Sequence, residues 1–134
     1  VRRNRATLNA QLSRVVSEIG HTDLLAVTDA GLPIPAHVER VDLALAEGVP
    51  SFLAVLDVVL AELEVEGATV PAEIASHSPA MLAELRSRLA ERGVELTLVP
   101  HVEFKALSHG ARAAVRSGEF TPYANVLLHA GVVY

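Results

Sequence analysis

A chain of 134 residues that is 51% hydrophobic but only 4% aromatic has the length of one domain, with a core drawn from Ala, Val and Leu. The net charge of −5, with eleven Lys and Arg scattered outside Arg2, Arg3 and Arg5, argues against nucleic acid as a partner, and the basic N-terminus reads as a solvated end. The absence of cysteine excludes disulfides, a thiolate nucleophile and cysteine metal sites.

No apolar run approaches about 18 residues and no basic leader precedes one, so neither a membrane span nor a secretion signal is expected and cytoplasm is the default location. So aliphatic a composition on so small a surface also predicts association with further copies of the chain.

Leu8, Leu12, Val15, Val16 and Ile19 fall at helical spacing, with Gly20 placed to end that helix as a left-handed cap. Leu24 to Thr28 reads as a central strand buried on both faces, with Asp29 at its carboxyl end. Gly31, Pro33 and Pro35 then make a stiff loop where open α/β sheets usually take ligands. Val41, Leu43 and Leu45 alternate with polar or small residues as a half-exposed strand, closed by Gly48-Val49-Pro50.

Ser51 is the expected N-cap of a helix to about Leu63, striped by Leu53, Leu56, Val59, Leu60 and Leu63. A strand over Glu64 to Val70 stops at Pro71, and a short helical piece starts at Ala72. Ser78-Pro79 supplies an N-cap and first helical residue, and Met81, Leu82, Leu85 and Leu89 carry that helix to Gly93. Val94, Leu96 and Leu98 form a strand running into Pro100-His101, followed by a helix from Val102 to about His109.

Ala113 to Arg116 is read as a strand that Ser117-Gly118 turns directly into the last apolar run. The pattern predicts a single α/β domain over residues 1–134, a three-layer α/β/α arrangement with a mixed, mostly parallel sheet of about six strands.

Six histidines invite a metal, but no His-x-x-x-His or His-Glu-x-x-His spacing occurs, and neither a glycine-rich phosphate loop nor Gly-x-Ser-x-Gly is present. What remains is a set of polar residues at element ends. His21 is either a cation at a helix terminus or a general acid that can exchange a proton near neutrality. Asp29 either caps its own loop or binds a hydroxyl, and His101 is either a surface residue at a helix start or a second group at the same sheet edge. Tyr123 and Asn125, two apart, would share one face of an extended entrance to the last strand, with Ala124 on the other. His37, His77, His109 and His129 are assigned to surface or packing roles.

Leu8-Asn9, Gly20-His21-Thr22-Asp23, Asp29-Ala30-Gly31-Leu32-Pro33-Ile34-Pro35, Gly48-Val49-Pro50-Ser51-Phe52, Arg116-Ser117-Gly118-Glu119 and Pro122-Tyr123-Ala124-Asn125 follow one another along nearly the whole chain. This ordered set resembles the D-ribose pyranase family, whose nearest relatives are the L-fucose mutarotases. The resemblance implies an isomerase that interconverts the pyranose and furanose forms of D-ribose without cofactor or metal. By position it makes His21 the proton donor and makes Asp29, His101 and Tyr123-Ala124-Asn125 the substrate-binding residues. It also implies a homodecameric ring whose sites lie at subunit boundaries, the C-terminal segment of one chain completing the site of its neighbour.

Two alternatives stand beside it, an L-fucose-type mutarotase acting on anomers and a non-catalytic sugar-binding assembly protein. Thr22 and Ala124 favour ribose within the resemblance, and the intact His21 favours an enzyme.

Overall fold

Asn9 starts the first helix, its Oδ1 accepting the Leu12 N–H at 2.8 Å, so α1 runs over Ala10–Glu18 in this computed structural model, which describes all 134 residues. Leu8 lies outside the helix and is exposed, contrary to the expected stripe. Nor does Gly20 carry the left-handed residue. Ile19 ends α1 in an extended conformation, and the chain then turns through Gly20–Asp23, with the Asp23 N–H bonded to Gly20 O at 3.1 Å. Thr22, the third residue of that turn, takes φ 72 while its N–H is held by Ala130 O at 2.9 Å.

Strand β1 is Leu24–Thr28, and the short strand β2 is Glu39–Asp42. The second strand sits earlier than its alternation predicts. Leu43 N–H still bonds Arg116 O, but Leu45 and Ala46 turn back on Val49, leaving Leu45 in solvent. Ser51 caps helix α2, Phe52–Glu62, as expected, its side chain accepting the Ala54 N–H at 3.1 Å. Strand β3 covers Val65–Pro71 and so includes the proline, as its last residue. The short helix α3, Ile74–His77, and helix α4, Pro79–Ala90, follow.

Ser78 precedes α4 but does not cap it. The buried Ser78 hydroxyl instead donates to Pro122 O at 2.8 Å, recruited to hold a distant loop. α4 stops at Ala90 ahead of the expected Gly93, which takes φ 69 in the closing turn. Strand β4, Leu96–Val99, leads through Pro100 into helix α5, His101–Ser108, and strands β5, Ala113–Arg116, and β6, Val126–Ala130, complete the chain.

The six strands order as β2-β5-β1-β6-β3-β4. β6 runs antiparallel to both its neighbours, and the other three pairings are parallel, giving the mixed, mostly parallel sheet expected. One face carries Leu25, Val27, Val115, Val126 and Leu128 under α1, α2, α3 and α4. The other carries Ala26, Ala114 and Leu127 under Phe104 of α5 and Leu32 and Val38 of the loop after β1. β1 is central and inaccessible from Leu25 to Thr28.

The expected direct turn from β5 into β6 does not form. β1 lies between them, so residues 117–125 cross over its carboxyl end. That crossing is tied down by Ser117 Oγ donating to Thr28 O at 2.6 Å and by the Ala30 N–H donating to Glu119 O at 2.9 Å.

Candidate active site

The carboxyl end of β1 is where the polar residues converge, because a buried central strand spends its ladder bonds inside the sheet and leaves its last groups for the loops. Asp29 follows β1 directly. Its Oδ1 accepts the N–H groups of Gly31 at 3.1 Å and Leu32 at 2.9 Å, closing the first turn of the proline-rich loop. Asn125, 1% exposed, faces it from just before β6: Asn125 Oδ1 accepts the Asp29 N–H at 2.9 Å, and Nδ2 donates to Asp29 Oδ2 at 3.2 Å.

Burial pushes the Asp29 carboxyl up from the ordinary aspartate value. The N–H groups of Gly31 and Leu32, the Asn125 amide and nearby His101 pull it back without cancelling the rise. A carboxyl moved in that direction is better matched to proton exchange near neutrality than an ordinary aspartate.

Tyr123 is not on an extended strand entrance. It takes φ 62 in a tight turn, and β6 begins only at Val126, so Tyr123 and Asn125 do not share a strand face. A left-handed tyrosine is backbone strain placed beside a polar cluster. Its ring packs against His77 at a centroid distance of 5.0 Å and edge-on to His101 at 5.1 Å. Ala124 is wholly buried and its side chain belongs to the main core.

His101 opens α5, and its N–H is bonded by both Glu73 oxygens, at 3.0 and 3.1 Å. Its Nδ1 is buried without a hydrogen-bond partner, the one such side-chain atom in the structure. An orphan of that kind asks for an explanation, and a ligand that pairs with it is one. Together Asp29, Asn125, His101 and Tyr123 present a carboxylate, an amide, an imidazole and a phenol at one edge, suited to a small polyhydroxylated molecule.

His21 does not join them within one chain. It sits in the Gly20–Asp23 turn before β1, while Asp29 follows β1; five strand residues at about 3.3 Å each put the two ends on the order of 15 Å apart. There the His21 Nε2 meets Glu66 Oε2 at 3.1 Å.

Reading the sequence alone missed several supports. His77 lies against Tyr123, Ser78 holds Pro122, and Glu119 ties the crossing loop to α2. Burial acts to raise the Glu119 carboxyl, but the N–H of Phe52 and the hydroxyl and N–H of Thr121 outweigh it and hold the group below its ordinary value. Of these, Glu119 stands inside one of the ordered segments and Ser78 carries a signal, but as a helix cap and not as a support of the site.

The chain is 52% identical over 127 residues to the D-ribose pyranase of Laribacter hongkongensis (strain HLHK9), covering 95% of each. Among solved structures it is similar to Bacillus subtilis RbsD complexed with D-ribose, at 38% identity and TM-score 0.94, covering 99% of this chain and 100% of that one. The fucose mutarotase of Streptococcus pneumoniae, solved with L-fucose, shares the fold at TM-score 0.80 and 22% identity over 95% of each chain. With its model matched over residues 2–133 and the same fold throughout, this chain belongs to the RbsD / FucU transport protein family.

Proposed function

We propose that the protein interconverts the pyranose and furanose forms of D-ribose by acid/base-assisted ring opening and reclosure. The observation that carries this reading is the match along the full chain to a relative solved with D-ribose, together with the Asp29, Asn125, His101 and Tyr123 cluster at one sheet edge. In this reading the imidazole of His21 delivers a proton to the ring oxygen as the C1–O bond breaks and the anomeric hydroxyl loses its proton. Reclosure through another hydroxyl reverses the roles, and Asp29, with its raised carboxyl, is the group placed to exchange the second proton. Asn125 orients Asp29, and His101 and Tyr123 bind the sugar hydroxyls. Nothing in this chemistry calls for a cofactor. The furanose product is the form handed on to ribose phosphorylation, a cytoplasmic step.

The separation of His21 from that cluster supports a site shared between copies, His21 of one chain meeting the Asp29 edge of the next. A contact between opposite ends of two identical chains is heterologous, and such contacts close into rings when the rotation allows. Exposed Val102 and Leu107 on α5, Phe120 in the crossing loop, and Val133 and Tyr134 after β6 are apolar surface available to it. The ring we propose is a homodecamer. Sedimentation showing only monomer at micromolar concentration would remove both the ring and the shared site.

Saturation-transfer NMR on D-ribose tests the activity. The protein should link the pyranose and furanose signals, with less effect on L-fucose anomers, and His21→Ala should slow the exchange by ~10²- to 10⁴-fold. Binding of ribose without saturation transfer would replace the enzyme with a sugar-binding protein. Mixing the inactive variants His21→Ala and Asp29→Asn, unfolded and refolded together, should restore about a quarter of wild-type exchange, because random neighbours complete one site in four. No recovery in mixed rings would place all the groups of a site within one chain.

A further inference from the structure

β3 and β6 do not pair in even register. Val65 stands opposite Ala130 and Gly67 opposite His129, so Glu66 is an extra residue with no partner on β6. A bulge of this kind re-aims one side chain out of the alternation of its strand, and bulges concentrate beside active sites. The side chain re-aimed here is a carboxylate, and it goes to His21: Glu66 Oε2 lies 3.1 Å from His21 Nε2, across 45 residues of sequence. The space it crosses is kept open by Gly131. A Cβ built there would come within 3.2 Å of Glu66 Cβ and 3.5 Å of its Oε2.

The other acid beside His21 is engaged elsewhere. Asp23 Oδ2 accepts the Gly20 N–H at 2.9 Å and the Arg112 guanidinium at 3.2 Å, so it shapes the turn and leaves the ring to Glu66.

We propose that Glu66 is the positioning residue of His21, accepting its Nε2–H, fixing the ring orientation and leaving Nδ1 as the nitrogen that exchanges protons with the sugar. The inference rests on the D-ribose reading for its catalytic consequence, but the tautomer it assigns belongs to the protein alone. A carboxylate offers only acceptor oxygens, so the nitrogen facing it carries hydrogen in both the neutral and the charged ring. When the charged ring acts as acid, the proton on Nδ1 leaves to the ring oxygen, and the Nε2–H held by Glu66 stays. When the neutral ring acts as base, Nδ1 takes the proton of the attacking hydroxyl, and the same Nε2–H stays. One nitrogen works in both directions, and the other is a fixed anchor.

Nitrogen NMR of the His21 ring reads this directly. Wild type at a pH where the ring is neutral should show the Nε2–H tautomer, and Glu66→Ala should shift it to a mixture of both tautomers. Exchange of D-ribose by Glu66→Ala should fall about 10-fold in kcat with KM little changed, the scale of one charge-assisted hydrogen bond. Glu66→Gln, whose amide oxygen can still accept the Nε2–H, should keep the tautomer and recover most of the rate. Gly131→Ala, which retains the carboxylate but crowds it, should fall between them.

A Glu66→Ala ring that remains the Nε2–H tautomer, or a Glu66→Ala kcat equal to wild type, would overturn the proposal and reduce the contact to a surface ion pair. Should wild type fail to exchange ribose at all, the D-ribose reading falls, while the tautomer measurement still decides the role of Glu66.

Discussion

Asn125 and Asp29, 96 residues apart, close a two-bond ring in which the amide of one reads both the backbone and the side chain of the other: Asp29 N–H to Asn125 Oδ1 at 2.9 Å, and Asn125 Nδ2 to Asp29 Oδ2 at 3.2 Å. Since Asn125 is almost fully buried, it serves as a brace for the carboxylate more than as an open ligand group. Asn125→Ala should therefore cost about 1–3 kcal/mol, the penalty for leaving the Asp29 N–H unsatisfied, and should weaken ribose binding as Asp29 loosens. Urea unfolding and the KM of ring exchange measure the two effects. An unchanged unfolding midpoint would mean that water replaces the amide without loss.

Asp29 also sets a slope of stability against pH. Burial raises its carboxyl above the ordinary aspartate value, so the folded chain holds that proton more tightly than the unfolded one. The contribution is fully present below the ordinary value and is lost as pH rises through the raised one. Asp29→Asn removes the titration, so the stability of wild type minus that of the variant should fall as pH rises above the ordinary aspartate value of about 4. Urea midpoints of both proteins at matched pH values check the sign. A difference that grows with pH would show that the hydrogen bonds to Asp29 outweigh its burial.

Gly118 marks the point where the crossing loop presses on the Ala46–Val49 turn. A Cβ there would lie 2.4 Å from Ala46 O and 2.6 Å from Val49 O, both backbone atoms. Gly118→Ala should cost about 2–3 kcal/mol and, by displacing the loop that carries Tyr123, lower ring exchange as well. Gly31→Ala is the control, since nothing lies within 4 Å of its Cβ position, and it should stay within about 0.5 kcal/mol. Equal unfolding midpoints for the two variants would contradict the clash.

Thr22 holds φ 72, a conformation that costs an L-residue about 1–2 kcal/mol and a β-branched one no less. Thr22→Gly should raise the urea midpoint by an amount equivalent to about 1 kcal/mol, the relief being offset in part by the greater freedom of glycine when unfolded. A lower midpoint would show that the Thr22 side chain contributes more to the turn than its strain removes.

The elements of this protein were legible in its sequence where the signal is local. Ser51 caps α2 because its hydroxyl needs only an N–H three residues on, and Leu24 to Thr28 forms the central strand because four apolar residues in a row, Leu24 to Val27, leave no polar face. Apolar periodicity and proline and glycine placement act within about ten residues, so they set helices, strands and class. Local signals misled wherever a distant group competed for the same atoms. Ser78 has the form of a cap, but Pro122 O takes its hydroxyl; Gly20 has the form of a left-handed stop, but Ala130 O and Asp23 move the turn to Thr22.

What only the tertiary structure decided is which ends meet. Strand order puts β1 between β5 and β6, sends residues 117–125 across the end of β1, and so seats Asn125 on Asp29 and Tyr123 between two histidines. It equally puts His21 at the far end of the same strand and turns Glu66 out of β3 to meet it. Those adjacencies join residues 22 to 96 positions apart, and their energy comes from burying whole sheet faces together. No short window of sequence contains that energy, and the geometry of the site is therefore a property of the assembled sheet.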